Sequence, residues 1–254
     1  MKPCVLQHVE QLQAFALSNL LVAFDYDGTL APIAPTPEAA SMRADTRRLL
    51  VRVASRYPCV VISGRALDDL TRRLDGIPLW YVFGNHGLES GAGAAPPVAS
   101  GWLPALRERL PQAPGLVIED KGYTLTIHYR EVADKPAVIA AIHEAARGLP
   151  GARTIAGIEA ISLLPEDGRH KGLALQEARR QFACDTALYI GDDETDEDAF
   201  QSGDRTHLLS IRIGRNPRTT ARYRLDRQED IDALLHALVA ARDERRPPKR
   251  HPHV

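Results

Sequence analysis

Cysteine is scarce in this chain: three residues in 254, Cys4, Cys59 and Cys184, odd in number and far apart. No CxxC spacing occurs among them, which removes a thiolate zinc site, and scattered thiols build no disulfide framework. Buried or incidental thiols in a reducing compartment are expected, with the cytoplasm as location. Long apolar runs are missing too. Nothing approaches the roughly 20 residues of a membrane helix. The first apolar stretch, 20–24, runs straight into Asp25 and has neither a basic flank nor a small-residue cleavage site, so no signal peptide is expected. Nor is there an excess of charge: 32 Lys and Arg against 33 Asp and Glu leave a net −1. No global field draws in nucleic acid or anionic lipid, and any bound anion must be held by a local site.

What is present is the profile of a globular protein, 44% hydrophobic and 26% charged. The length suits one large domain or a domain with a smaller insert. Four apolar runs, 20–24, 59–62, 79–83 and 187–190, lack polar alternation, as strands buried on both faces require. A fifth, 207–213, is interrupted by Ser210 and Arg212. Helical patterns lie between them at 37–56, 66–74 and 172–182, with an amphipathic one at 230–241. This rhythm predicts an α/β fold: a doubly wound parallel-sheet core with right-handed crossovers.

The rhythm breaks in the middle. A Gly/Ala/Pro-rich stretch, 91–101, reads as a hinge or loop. Beyond it come a helical pattern at 103–110, an alternating strand at 123–129, a helix at 135–147 and a strand near 158–164. The loop 165–170 then returns the chain. The predicted organisation is core 1–98, an inserted α+β cap 99–167, core 168–241 and a disordered basic tail 242–254.

The chemistry lies where the apolar runs end. The first stops at Asp25-Tyr26-Asp27-Gly28-Thr29 and the second at Ser63-Gly64-Arg65. The third stops at Gly84-Asn85-His86-Gly87, and the fourth at Gly191-Asp192-Asp193-Glu194-Thr195-Asp196. Ligands of open α/β sheets sit beyond the carboxyl ends of the strands, so four strands deliver polar groups to one crevice. Five carboxylates, Asp25, Asp27, Asp192, Asp193 and Asp196, would then share a small volume at a cost of several kcal/mol each if left uncompensated. A hard divalent cation relieves this, and oxygen-only donors favour Mg²⁺ over Zn²⁺. Ser63 and Lys171 add a hydroxyl and a positive charge for a phosphate. Any one of these short patterns alone could be a capped turn; their order and context give them weight.

Asp25-Tyr26-Asp27-Gly28-Thr29-Leu30, Ser63, Lys171 and Gly191 to Asp196 resemble, in order, the four motifs of the haloacid dehalogenase superfamily. The further matches Ser63-Gly64-Arg65, Gly84 to Glu89, Lys121-Gly122 and His128-Tyr129-Arg130 resemble its trehalose-6-phosphate phosphatase family. The resemblance implies a Rossmann-like core and hydrolysis of a small sugar phosphate, with no nucleic-acid or membrane partner. A monomer or weak homo-oligomer is expected.

Asp25 would be the nucleophile, Asp27 the acid and base, and Ser63 and Lys171 the phosphate ligands. Mg²⁺ would be held by Asp25, the Asp27 backbone carbonyl and Asp192, with Asp193 and Asp196 orienting ligands or Lys171. Gly28 would permit the tight turn beside the phosphate. Arg65, Asn85, His86, Glu89, Lys121, His128 and Arg130 would meet the sugar, though on an alternating strand His128 and Arg130 face either substrate or solvent. In one place the chain departs from the family: Ser162 and Leu164 stand where an acidic and then a basic residue are expected, with Glu159 a possible substitute. The departure bears on which sugar is bound. The alternatives are another sugar phosphate (sucrose phosphate, a glycosyl-phosphoglycerate or a hexose phosphate), a phosphotransferase, or a catalytically silent sugar-phosphate sensor.

Overall fold

The computed structural model describes residues 2–89, 101–157, 159–166 and 168–244. Its core is a six-stranded, wholly parallel sheet of strands β1 (Leu20–Phe24), β2 (Cys59–Ile62), β3 (Tyr81–Phe83), β8 (Thr186–Gly191), β9 (Leu208–Ile213) and β10 (Tyr223–Leu225). The spatial order is β10-β9-β8-β1-β2-β3, so the chain winds out from β1 in one direction and returns to build the other half. β1 lies between β2 and β8, with Phe24 opposite Val61 and Ile190. All five residues of β1 are buried, because helices cover both faces. On one face α1 (Val9–Leu17), α2 (Ala44–Ala54) and α8 (Ile231–Asp243) pack through Leu12, Leu50, Val53, Leu234 and Leu238. On the other, α6 (Lys171–Gln181) and α7 (Glu197–Phe200) supply Ala174, Leu175, Ala178 and Phe200. The short α3 (Leu67–Arg73) follows β2.

Ser210 and Arg212 do not break β9. Ser210 accepts the Arg222 amide at 3.0 Å, and Arg212 pairs with Glu197 at 3.1 Å through one guanidinium nitrogen, so each buried polar side chain has a partner within the strand's surroundings. The helix expected over 37–56 is shorter than its pattern. Ahead of Ala44 the carbonyls of Pro37 and Ala40 accept from the guanidinium groups of Arg65 and Arg73, and the backbone forms turns. At the other end α8 continues through Asp243, two residues into the predicted tail; 245–254 lie outside the described residues, as do 91–100 of the predicted hinge.

The cap domain is an antiparallel sheet of order β4-β5-β7-β6: β4 (Val117–Asp120), β5 (Leu125–His128), β7 (Ala160–Pro165) and β6 (Ala152–Gly157). One face carries Leu125, Ile127, Ile161 and Leu163 and packs on α4 (Leu103–Arg109) and α5 (Lys135–Arg147). This apolar cluster is separate from those of the core. Asp134 caps α5 by accepting the Ala137 amide at 3.1 Å. The opposite face carries Glu119, Thr126, His128, Ser162, Leu164 and Arg153, fixed there by the registers Glu119–Thr126, Thr126–Ser162 and Arg153–Leu164.

Because the cap has its own core, Ile142→Ala is expected to cost about 2–5 kcal/mol locally. Hydrogen exchange should accelerate across β5 and β7 while β1 and β8 keep their protection.

Candidate active site

The ends of β1 and β8 set the site. Asp25, the first residue past β1, donates its amide to the Ile190 carbonyl at 2.9 Å and is only 4% exposed. Its carboxylate meets the ammonium of Lys171 at 2.9 Å. Lys171 opens α6, is 2% exposed, and reaches Asp196 at 2.8 Å on its other side. Burial by itself would favour the neutral amine; Asp196 and Asp25 outweigh it and raise the pKa, so the ammonium stays charged. Asp196 is fully buried and fully used. One oxygen accepts from Lys171 and the Tyr189 hydroxyl (2.7 Å), the other from the amides of Asp192 and Asp193 (2.8 and 2.9 Å). It thereby shapes the loop that presents Asp192. Asp193 accepts from the Glu194 amide as the cap of the following turn.

Carboxylate oxygens of Asp25, Asp192 and Asp196 lie within 4.8 Å of one another. With both Asp196 oxygens committed, Asp25 and Asp192 remain the pair with ligand capacity. Burial, only partly offset by Lys171 and reinforced by Asp196 and Asp27, pushes the Asp25 carboxyl up to about 8. Burial and then Asp25 drive Asp192 in the same direction. One buried and one half-buried carboxyl raised together describe an excess of negative charge that one ammonium does not balance. All the donors are oxygens, so the residues fit a hard divalent cation. A cleft of 530 Å³ lined by core residues, among them Gly28, Arg43, Asp192 and Gln228, reaches the Asp192 edge of the cluster.

Asp27 is held differently. Its carboxylate takes two 2.7 Å bonds from Arg65, whose guanidinium also bonds Asp69 and the Pro37 carbonyl. The bidentate geometry fixes the Asp27 side chain tightly. Ser63, 1% exposed at the end of β2, accepts the Arg65 amide at 3.3 Å and keeps its own hydroxyl proton to donate.

Around the rim the expected substrate residues divide into two groups. Asn85 is fully buried and commits its side chain to Glu89 (2.8 Å), the Lys121 carbonyl (3.2 Å) and Thr124 (2.9 Å). Glu89 also accepts the Leu67 amide at the start of α3. Both therefore frame the rim by joining strand end, helix and cap. His86 is open to a ligand: buried, in the left-handed region (φ 59°), its Nδ1 has no partner. Burial, followed by Lys171, Lys121 and Arg153, holds its pKa well below the usual value, so the ring is neutral. Such a strained, unpartnered residue is characteristic of functional sites. Lys121 reaches the Gly64 carbonyl at 3.3 Å, and His128 bonds Glu119 at 2.9 Å.

Arg130 and Glu159 lie at the end of the cap. They pair at 3.2 Å, Lys135 pairs with the same Glu159, and Arg130 also donates to the Pro35 carbonyl. Glu159 occupies a turn with φ 54°, not the strand face of Ser162. Ser162 instead bonds Thr126 at 3.1 Å. Sequence reasoning missed Glu119, Arg153 and Tyr189. The i, i+2 spacing of Glu119 and Lys121 is a strand signal, but β4 is too short and too exposed to stand out.

A family model described as Trehalose-phosphatase matches residues 23–229. The trehalose-phosphate phosphatases of Mycolicibacterium paratuberculosis and Mycobacterium marinum are 38% and 35% identical to this chain over 198 and 218 residues. Those alignments cover 71% and 79% of it but 50% and 55% of theirs, so the chain spans about half the length of the curated relatives it matches. Among solved structures, the C-terminal domain of C. albicans trehalose-6-phosphate phosphatase has the same fold. It aligns with a TM-score of 0.79 at 21% identity, over 94% of this chain and 98% of that one. A trehalose-6-phosphate phosphatase related protein aligns at 0.70 and 26% identity, over 89% of this chain and all of that one.

Gly28 marks how tightly the site is built. It has φ +75°, and a Cβ there would lie 2.0 Å from an Asp192 oxygen. Gly28→Ala is expected to lower stability by about 1–3 kcal/mol in urea denaturation and to weaken divalent-cation binding by displacing Asp192.

Proposed function

Since this chain belongs to the trehalose-phosphatase family, we propose that it hydrolyses trehalose 6-phosphate to trehalose and phosphate through an aspartyl phosphate on Asp25. The observation that carries this reading is the buried Asp25 carboxylate, 2.9 Å from Lys171 and beside Asp192 at the mouth of a parallel sheet. Nothing in the packing of the core calls for two raised carboxyls at that place. A phosphoryl-transfer centre does.

In this mechanism an Asp25 oxygen attacks phosphorus in line as the sugar oxygen departs. Ser63 and Lys171 bind the phosphoryl oxygens and hold the group in that line. Asp27 gives a proton to the leaving oxygen and then takes one from the water that cleaves the acyl phosphate. To do so it must give up its bidentate contact with Arg65, and Arg65 restores its position afterwards. A Mg²⁺ ion held by Asp25, the Asp27 backbone carbonyl and Asp192 would supply positive charge against the transferring phosphoryl group.

The cap's polar face, with Lys121, His128 and Glu119, closes the crevice from above, while His86 and Arg65 contribute from the core. In this reading Asn85 and Glu89 hold the rim, and Arg130 and Glu159 brace the cap. Closure keeps bulk water from the intermediate until Asp27 activates one molecule.

A second reading is favoured by one observation: Ser162 is bonded to Thr126 and Leu164 is 1% exposed, so neither brings a charge to a sugar hydroxyl. A different sugar phosphate would suit such a face.

A phosphate-release panel at fixed Mg²⁺ separates the readings, using trehalose 6-phosphate, sucrose 6-phosphate, a glycosyl-phosphoglycerate and glucose 6-phosphate. The highest kcat/KM is expected on trehalose 6-phosphate, and Asp25→Asn should lose at least about 10³-fold. Preference for another sugar would replace the substrate and keep the chemistry. Full activity of Asp25→Asn would end the covalent mechanism.

A further inference from the structure

Among the described residues, cap and core meet in three polar regions, the first of which also holds the 3.3 Å bond from Lys121 to the Gly64 carbonyl. Asn85 joins Thr124 and the Lys121 carbonyl in full burial. Arg130 donates to the Pro35 carbonyl. The third contact lies on the other side of the cap sheet, where Nη2 of Arg153 on β6 sits 3.3 Å from the Asp198 carboxylate on α7. Asp198 is two residues beyond Asp196, so the contact ties the cap's edge strand to the loop that shapes Asp192.

Two features single out Arg153. It lies opposite Leu164 in the β6–β7 register, and paired residues of neighbouring strands share a face. A cation is therefore present on this face one strand away from the position where the family pattern expects one. Its Nε is also buried without a partner, so Asp198 uses only part of its donor capacity.

We propose that Arg153 is a positioning residue: its ion pair with Asp198 seats the polar face of the cap over the Asp25–Lys171 centre. This rests on the reading that the chain hydrolyses a sugar phosphate.

The three contacts differ in how readily they open. Asn85 has several buried partners and acts as a pivot that stays formed. Arg153 and Asp198 are 29% and 31% exposed, and a pair of that kind is weak and screened by salt. That suits a contact that must part for each product release.

The test compares Arg153→Ala, Asp198→Ala, the double variant and the swap Arg153→Asp/Asp198→Arg. Each is assayed on the preferred sugar phosphate and on p-nitrophenyl phosphate. Each single variant is expected to raise KM for the sugar phosphate about three- to tenfold, with a much smaller change in kcat. kcat/KM for the sugar should fall relative to p-nitrophenyl phosphate. The double variant should be no worse than either single one, and the swap should recover most of the loss. Hydrogen exchange over β5 and β7 should quicken in both single variants. Equal losses on both substrates, additive losses in the double variant, no recovery in the swap or an unchanged KM would each overturn the proposal. A wild-type protein that cleaves p-nitrophenyl phosphate but no sugar phosphate would instead overturn the functional reading, while the exchange data would still judge the clasp.

Discussion

The ammonium of Lys171 lies between two buried carboxylates, 2.9 Å from Asp25 and 2.8 Å from Asp196, and the rest of the site is arranged around it. One positive charge cannot balance Asp25, Asp192 and Asp196, two of them buried and the third half-buried. The structure resolves part of the excess with hydrogen bonds: four donors converge on Asp196 and bring the amides of Asp192 and Asp193 to it. Asp25 and Asp192 receive no comparable help, and burial raises both. The imbalance left over is what a divalent cation and a phosphoryl group are suited to correct. Deleting one partner of such a buried set costs more than the set contributes, because the others are left unpaired.

Much of the core was legible because strands buried on both faces leave uninterrupted apolar runs, and those at 20–24, 59–62 and 187–190 point to β1, β2 and β8. The polar residues following them were legible for a related reason: an acidic cluster at a strand's end has little purpose in packing. The cap was harder. β4, β6 and the short β10 were not recognised, since Val117–Asp120 is partly exposed and Ala152–Gly157 lacks strong alternation. Without those strands Glu119 and Arg153 had no face to belong to. Helix α1 also escaped notice, and α2 was drawn too long because the arginine bonds that hold residues 37–40 in turns come from distant residues.

The two halves of the molecule carry different amounts of information about function. Core residues at the site touch one another, so their chemistry is constrained by the geometry of those contacts. Cap residues are paired among themselves, His128 with Glu119 and Arg130 with Glu159. Glu159 sits in the β6–β7 turn and pairs with Arg130 and Lys135, off the strand face that carries Ser162. In the proposed reading, phosphoryl chemistry and sugar choice are separable questions, the first assigned to the ends of β1 and β8 and the second to the polar face of the small antiparallel sheet.

The proposed chemistry requires a divalent cation to complete the acidic cluster. With its pKa raised to about 8 by burial, Asp25 holds a proton more readily than an ordinary carboxylate in the metal-free protein. A raised carboxyl pKa favours the fold below the ordinary carboxylate range, and that contribution is lost as pH rises through about 8. A cation must displace this proton to bind. Titration of Mg²⁺ by calorimetry, repeated in buffers of different ionisation enthalpy, measures the displacement directly. The account predicts tighter binding as pH rises from 6 to 8, with proton release at pH 7 that fades above about pH 9. Binding that is independent of pH and releases no proton, or no binding at all, would contradict it.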